Sequence, residues 1–221
     1  MQTIGEGVAI IPTAPERLRN RDSDYLYRFD SYFYYLCGFP EPEALLVLIA
    51  GEKPRSILFC RDKNAERELW EGFRHGPDAA KGKFSLDEAY SISRADEMLP
   101  ELLSNQPALH YMPGADPTFD ARVMGWLNQV RAKTRAGSTA PTRILDLRAA
   151  LDEMHLIKDD SEIDTMRRAA RISDAAHRRA MEATQSGLYE YSIEAELLYE
   201  FRKGGAQFPA YWPIVAGGAN A

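Results

Sequence analysis

Ala44-Leu45-Leu46-Val47-Leu48-Ile49-Ala50 leads through Gly51-Glu52-Lys53-Pro54 into Ser56-Ile57-Leu58-Phe59-Cys60. Two short, continuously apolar runs separated by a Gly/Pro loop read as buried strands joined by a hairpin. Upstream, Val8-Ala9-Ile10-Ile11 is a third such run, closed by Pro12 and Pro15. Downstream, Ala108-Leu109-His110-Tyr111-Met112 is a fourth, closed by Pro113-Gly114. Between and beyond these runs the apolar spacing becomes helical. Met98, Leu99, Leu102 and Leu103 form one face of a helix over 95–103. Asp116 stands as an N-cap with Pro117 at the first helical position, and Phe119, Val123, Trp126, Leu127 and Val130 form the inward stripe. Residues 62–70 predict a further helix. Tyr32-Phe33-Tyr34-Tyr35-Leu36 predicts extended structure, because aromatic side chains suit a pleated surface. Strands alternating with helices indicate an α/β domain.

Arg135 to Thr142 has the composition of a linker, and a domain boundary is expected between about Gly137 and Lys158. Beyond it, Asp159 and Glu162 have the spacing of a capping box at the start of a long helix. Ile163, Met166, Ala170, Ser173, His177 and Ala180 lie along one stripe of that helix. A second helix over 192–203 turns Ile193, Leu197, Leu198 and Phe201 inward and ends at Gly204-Gly205. Phe208 to Ala221 reads as the opening strand and turn of a further sheet.

The 221 residues carry 27 Lys+Arg and 33 Asp+Glu, a net charge of −6, with 45% hydrophobic residues. There is no basic surplus to hold a nucleic acid. The longest apolar run, Ala44 to Ala50, falls far short of the ~20 residues that span a bilayer. The N-terminus lacks the basic-then-apolar pattern of a signal peptide. Only Cys37 and Cys60 are present, which suits reduced thiols in a cytoplasmic protein better than a disulfide framework.

Chemistry-bearing motifs are sparse. The four histidines, His75, His110, His155 and His177, make no HExxH pair, and there is no CxxC, GxSxG, GxGxxG or GxxxxGK. Glu41-Pro42-Glu43 and Asp159-Asp160 read as turn and cap residues. One loop is unusual: Trp70-Glu71-Gly72-Phe73-Arg74-His75-Gly76-Pro77 sets an indole, a guanidinium and an imidazole among glycines. Those groups recognise partners when exposed.

Four segments together resemble aminopeptidase P, the Xaa-Pro aminopeptidases of the M24 metallopeptidase family. The first is Asp22 to Arg28 with Tyr32 to Ala44, which is similar to "S-x-Y-x-Y-R…F-x-Y-L-x-G-F-x-E-P-x-A". The second is Leu69 to Gly76 ("W-x-G-x-R-x-G"). The third is His155-Leu156-Ile157-Lys158 with the helix to Glu182. The fourth is Phe208-Pro209-Ala210-Tyr211 with Ile214 to Ala221 ("P-x-Y-x-x-I-V-x-G-G-x-N-x").

The resemblance implies a creatinase/prolidase-like N-terminal domain over 1–145, a mixed sheet flanked by helices, followed over 146–221 by the start of an α+β pita-bread catalytic domain. It implies removal of the residue preceding proline from peptides with proline at the second position, by two divalent metals, usually Mn²⁺, in a homo-oligomer. The family's two Asp, one His and two Glu ligands follow the G-G-x-N turn. The chain ends at Ala221, so no catalytic residue and no metal ligand is expected within it, and this polypeptide is expected to be inactive alone. The resemblance assigns Tyr211 to the wall of the metal and substrate pocket. It assigns Trp70 to a loop that reaches a neighbouring subunit's active site, and it adds Arg74 as a substrate contact. Two other readings stand beside it: a non-catalytic binding or oligomerisation module, and another M24 activity such as prolidase or creatinase. The apolar stripes after Lys158, lacking a sheet to cover, are expected to drive self-association.

Overall fold

The hairpin that the two apolar runs predict is present in the computed structural model, which describes residues 1–221. In chain order the strands and helices are β1 (Gly7–Pro12), β2 (Leu18–Asn20), β3 (Ser23–Asp24), α1 (Ser31–Cys37), β4 (Leu45–Ala50), β5 (Arg55–Cys60), α2 (Ala65–Glu71), α3 (Gly76–Lys83), β6 (Glu88–Ser91), α4 (Ala95–Leu103), β7 (Ala108–Tyr111), α5 (Pro117–Ala132), β8 (Arg143–Asp146), α6 (Arg148–Leu156), α7 (Asp160–Ala183) and α8 (Glu190–Lys203). Six strands form one mixed sheet in the order β6-β5-β4-β1-β7-β8, and β2 and β3 form a small separate ribbon. The β1/β4 and β4/β5 pairs are antiparallel, whereas β1/β7, β5/β6 and β7/β8 are parallel.

The continuous apolar runs have a simple cause: the sheet is buried on both faces. Val8, Ile10, Val47 and Phe59 pack with Leu99, Leu103, Val123 and Trp126 of α4 and α5. Ala9, Ile11, Leu46 and Leu58 pack on the other face with Phe33 of α1, Ala80 of α3 and Leu151 of α6. At the N-terminus of α5, Asp116 accepts from the amides of Thr118 (2.8 Å) and Phe119 (3.3 Å), and all five residues of the expected stripe are buried.

Tyr32 to Leu36 is helical and not extended. Asp30 caps the amide of Phe33 at 2.9 Å, and Gly38 closes the helix at φ +66°, its N–H bonded to the Tyr34 carbonyl. The caps at both ends outweigh the weak strand preference of the aromatic residues.

Cys37 and Cys60 both belong to the second core face. Desolvation pushes their thiols up to about 11 and about 12. A thiol raised in the fold favours the protonated state. Its contribution is therefore complete below the ordinary value of 9.0 and is lost as pH rises through about 11 for Cys37. Labelling with a disulfide reagent at pH 8 is expected to leave both thiols unreacted in the folded protein and to modify both after denaturation. Rapid labelling without denaturant would contradict the placement of these thiols in the core.

The chain divides into two units, Met1–Met154 and His155–Ala221. β8 pairs with β7, and Leu147 and Leu151 join the sheet's core, so the first unit runs past residue 145. In the second unit the Asp159/Glu162 capping box forms with both hydrogen bonds at 2.8 Å. In α7 Ala176 is buried and Ile172 half-buried, whereas Met166, Ala170 and His177 of the expected stripe are exposed. Gly204 lies close against Ile172: a Cβ there would lie 2.8 Å from Ile172 Cγ1. Residues 204–221 hold no strand and end in a 3-10 turn, Gly218–Asn220. A strand needs a ladder partner for its amides and carbonyls, and this segment has none in the chain. No helix is long and apolar enough to cross a membrane.

Candidate functional site

The loop between α2 and α3 is tied down at nearly every polar group. Asn64 caps α2 by accepting from the Arg67 amide at 3.0 Å. Glu68 accepts at a single oxygen, Oε1, from Lys63 Nζ and from the Arg74 amide, each at 2.6 Å. The Lys63 hydrogen bond, followed by that from the Arg74 amide, holds the Glu68 carboxyl below the usual carboxylate range. Lys63 Nζ also donates to the Arg74 carbonyl at 2.7 Å and lies 3.9 Å from the Phe73 ring centroid. The chain reverses at Gly72, where φ is +84°. Gly76 is at φ +68°, and a Cβ on it would stand 3.2 Å from the Lys63 amide nitrogen. This close approach, together with the positive φ, requires glycine there.

Trp70 lies on the outside of this frame and is 88% exposed; its neighbours Leu69 and Phe73 are 82% and 65% exposed. Arg74 is mostly buried and bound to the Glu71 carboxylate, which also accepts from Arg67 at 2.9 Å. These two arginines, Arg74 first, hold Glu71 below the usual carboxylate range. The loop foot is His75, whose Nδ1 and backbone N–H both reach Glu41 Oε1, at 2.5 and 2.7 Å. Glu41 is buried beside Arg61, with 3.7 Å between the carboxylate and the guanidinium. The local sequence around Glu41 suggests only a turn. Its partners lie 20 and 34 positions away, so no local spacing could reveal them.

Tyr211 belongs to the second unit. There α7, α8 and residues 205–214 line a cleft of about 600 Å³, with Ile172, Phe201, Phe208, Tyr211 and Ile214 among its walls. Its lining is largely apolar, and His177 Nδ1 donates to the Ser173 carbonyl of its own helix at 2.8 Å. Beside it, Glu190 Oε1 accepts from the Gly217 amide (2.7 Å) and the Asn220 side chain (3.0 Å), pinning the terminal turn. The Asn220 contact, followed by that of Gly217, lowers the Glu190 carboxyl. No group of three or more His, Cys, Asp or Glu side chains is placed to hold a metal ion. The donor set of this chain therefore does not fit a dinuclear centre.

Residues 1–111 match the family described as Aminopeptidase P, N-terminal domain, and residues 164–221 match Metallopeptidase family M24. The chain belongs to the aminopeptidase P family. It is 40% identical over 214 residues to the Xaa-Pro aminopeptidase of Escherichia coli K12, covering 96% of this chain and 48% of that relative. Human Xaa-Pro aminopeptidase 3 is 29% identical, covering 95% of this chain and 41% of the relative. The structure of Pseudomonas aeruginosa aminopeptidase PepP superposes with a TM-score of 0.93 at 47% identity, over 98% of this chain and 49% of that one. The chain thus spans about half the length of the aminopeptidase P relatives it matches. It has the fold expected of the family's N-terminal domain and of part of its pita-bread domain.

Proposed function

We propose that the protein of which these residues form part removes the N-terminal residue from peptides with proline at the second position, and that it uses Mn²⁺. The observation that carries this reading is the 40% identity to a Xaa-Pro aminopeptidase sustained over 96% of the chain. Metallopeptidase chemistry is the family's, and two divalent cations in such a site would activate a water and polarise the scissile carbonyl. The residues present here would serve the peptide and not the metal. Trp70, exposed in the last turn of α2 beside a tethered loop, packs against substrate across a subunit contact. Arg74 supports that loop through Glu71 and holds further N–H groups for the peptide. Tyr211 faces substrate from the second unit. The protein works in the cytoplasm as a homo-oligomer. Its exposed Leu69, Trp70 and Phe73, and in the second unit Tyr211, Trp212 and Ile214, favour association over a solitary chain.

The test is Mn²⁺-dependent cleavage of a Xaa-Pro-Pro tripeptide, with bound metal quantified on the same samples. It is run on residues 1–221 and on the complete gene product. Residues 1–221 are expected to bind no stoichiometric metal and to leave the peptide intact, while the complete product cleaves between the first residue and proline. Inactivity of a folded, metal-loaded complete product would overturn the reading and favour a binding module.

A further inference from the structure

Glu41 and Arg61 are the two buried charged side chains of the chain. Burying an ion pair costs solvation that the pair recovers only in part, so its place in the fold calls for a reason other than stability. The geometry at Glu41 supplies one. Its Oε1 accepts both the His75 amide and His75 Nδ1–H, and its Oε2 faces Arg61 with no hydrogen bond of its own. Arg61 extends on its other side to Glu71, 3.7 Å away, and Glu71 binds Arg67 and Arg74. One carboxylate therefore reaches the foot of the loop directly and its beginning through a single arginine. Lys83 Nζ donates to His75 Nε2 at 2.8 Å, which selects the tautomer that points Nδ1–H at Glu41. The imidazole so fixed meets Phe73 edge-on, with centroids 4.9 Å apart, and Phe84 at 5.2 Å. Trp70 stands in the last turn of α2 and is almost free of packing, so its direction follows from how the end of that helix and the loop after it are held.

We propose that Glu41 is a positioning residue for peptide binding: through His75 and Arg61 it fixes the 71–75 loop so that Trp70 meets the substrate in one orientation. The inference rests on the substrate-side role proposed for Trp70. Glu41 touches no substrate. It alters how well peptide binds and leaves the bond-breaking step alone.

The test uses the complete gene product with E41A, E41Q, W70A and E41A/W70A. In E41A, exchange of the Arg74 and His75 amides is expected to accelerate about tenfold or more, while Val47 and Leu58 in the sheet keep their protection. KM for a Xaa-Pro-Pro tripeptide is expected to rise about fivefold with kcat within about twofold, the pattern of lost binding and not of lost chemistry. E41Q, whose carbonyl oxygen can still accept from His75, is expected to fall between wild type and E41A. If E41A fails to fold, E41Q is read by the same criteria against wild type. The double variant is expected to be no worse than W70A, because the two residues act as one unit. Unchanged exchange at Arg74 and His75 would overturn the positioning role. So would a freed loop with unchanged KM in E41A while W70A raises KM, since Glu41 would then serve stability only. Unchanged KM in W70A, with the loop freed in E41A, would remove the substrate role of Trp70 itself, and the proposal with it.

Discussion

Trp126→Ala lowers the unfolding free energy by about 3–5 kcal/mol, the usual cost of deleting a large aromatic side chain from a filled core. Trp126 is 2% exposed and stands where α5 meets α4 and the sheet, edge-on to Phe119 with centroids 5.9 Å apart. It also donates Nε1–H to Asp96 Oδ1 at 2.8 Å, an oxygen that Arg122 shares at 3.0 Å. Burial acts to raise the Asp96 carboxyl, but the Arg122 and Trp126 hydrogen bonds together outweigh it and lower it. Trp126→Phe keeps a six-membered ring but loses both the hydrogen bond and the rest of the indole volume, at about 2 kcal/mol. The sign of its pH dependence follows from the lowered carboxyl. The contribution is complete above the ordinary aspartate value of 3.8 and disappears as pH falls through the folded-state value below it. Urea titration followed by far-ultraviolet circular dichroism at neutral and acid pH measures both quantities. A loss below about 1 kcal/mol for the alanine variant would mean that α5 is not packed as described.

Gly7→Ala is expected to cost about 3 kcal/mol or more, from a strained backbone combined with overpacking. Gly7 opens β1 at φ +101°, and a Cβ there would sit 2.4 Å from the Ala108 carbonyl oxygen. The obstacle is the backbone of β7, so no side-chain rotation relieves it. Gly137→Ala is the matched control: φ is +88° and no atom lies within 4 Å of the added carbon. Its cost should be limited to conformational strain, about 1 kcal/mol. The difference between the two variants in the same urea titration isolates the contact between β1 and β7. Equal losses would refute it.

Much of the first unit could be read along the chain, for an identifiable reason. β4, β5, α4 and α5 owe their existence to patterns contained within their own residues: a two-sided apolar run, a helical stripe, a cap with proline behind it. Where the deciding interaction lay elsewhere, local reading failed. The aromatic run at 32–36 is a helix because Asp30 and Gly38 cap it. Both α3 and β6 went unpredicted. α3 carries glycine at both 76 and 82, and β6 is a four-residue edge strand with no fully buried position. The candidate site divides in the same way. The indole and guanidinium of the 70–76 segment stand out in the sequence, and Trp70 is 88% exposed. Glu41, which holds that loop, looked like part of a Pro-flanked turn, since its partners come from β5 and the start of α3. The strand expected at the C-terminal end lacks a partner within the chain and stays irregular.

The place of β1 in the sheet also governs the order in which the sheet can assemble during synthesis. β1 emerges from the ribosome first, yet it lies between β4 and β7, and its parallel register joins Val8 to Leu109. Closing a segment of about a hundred residues has to precede that pairing, whereas β4 and β5 can meet across a short turn. For the interval between the exit of β4 and the exit of β7, one side of a fully apolar strand is left unpaired. A nascent chain in that state is open to pairing with other unfolded strands, and translation through residues 51–107 is the period in which a holdase chaperone would have the greatest effect on yield.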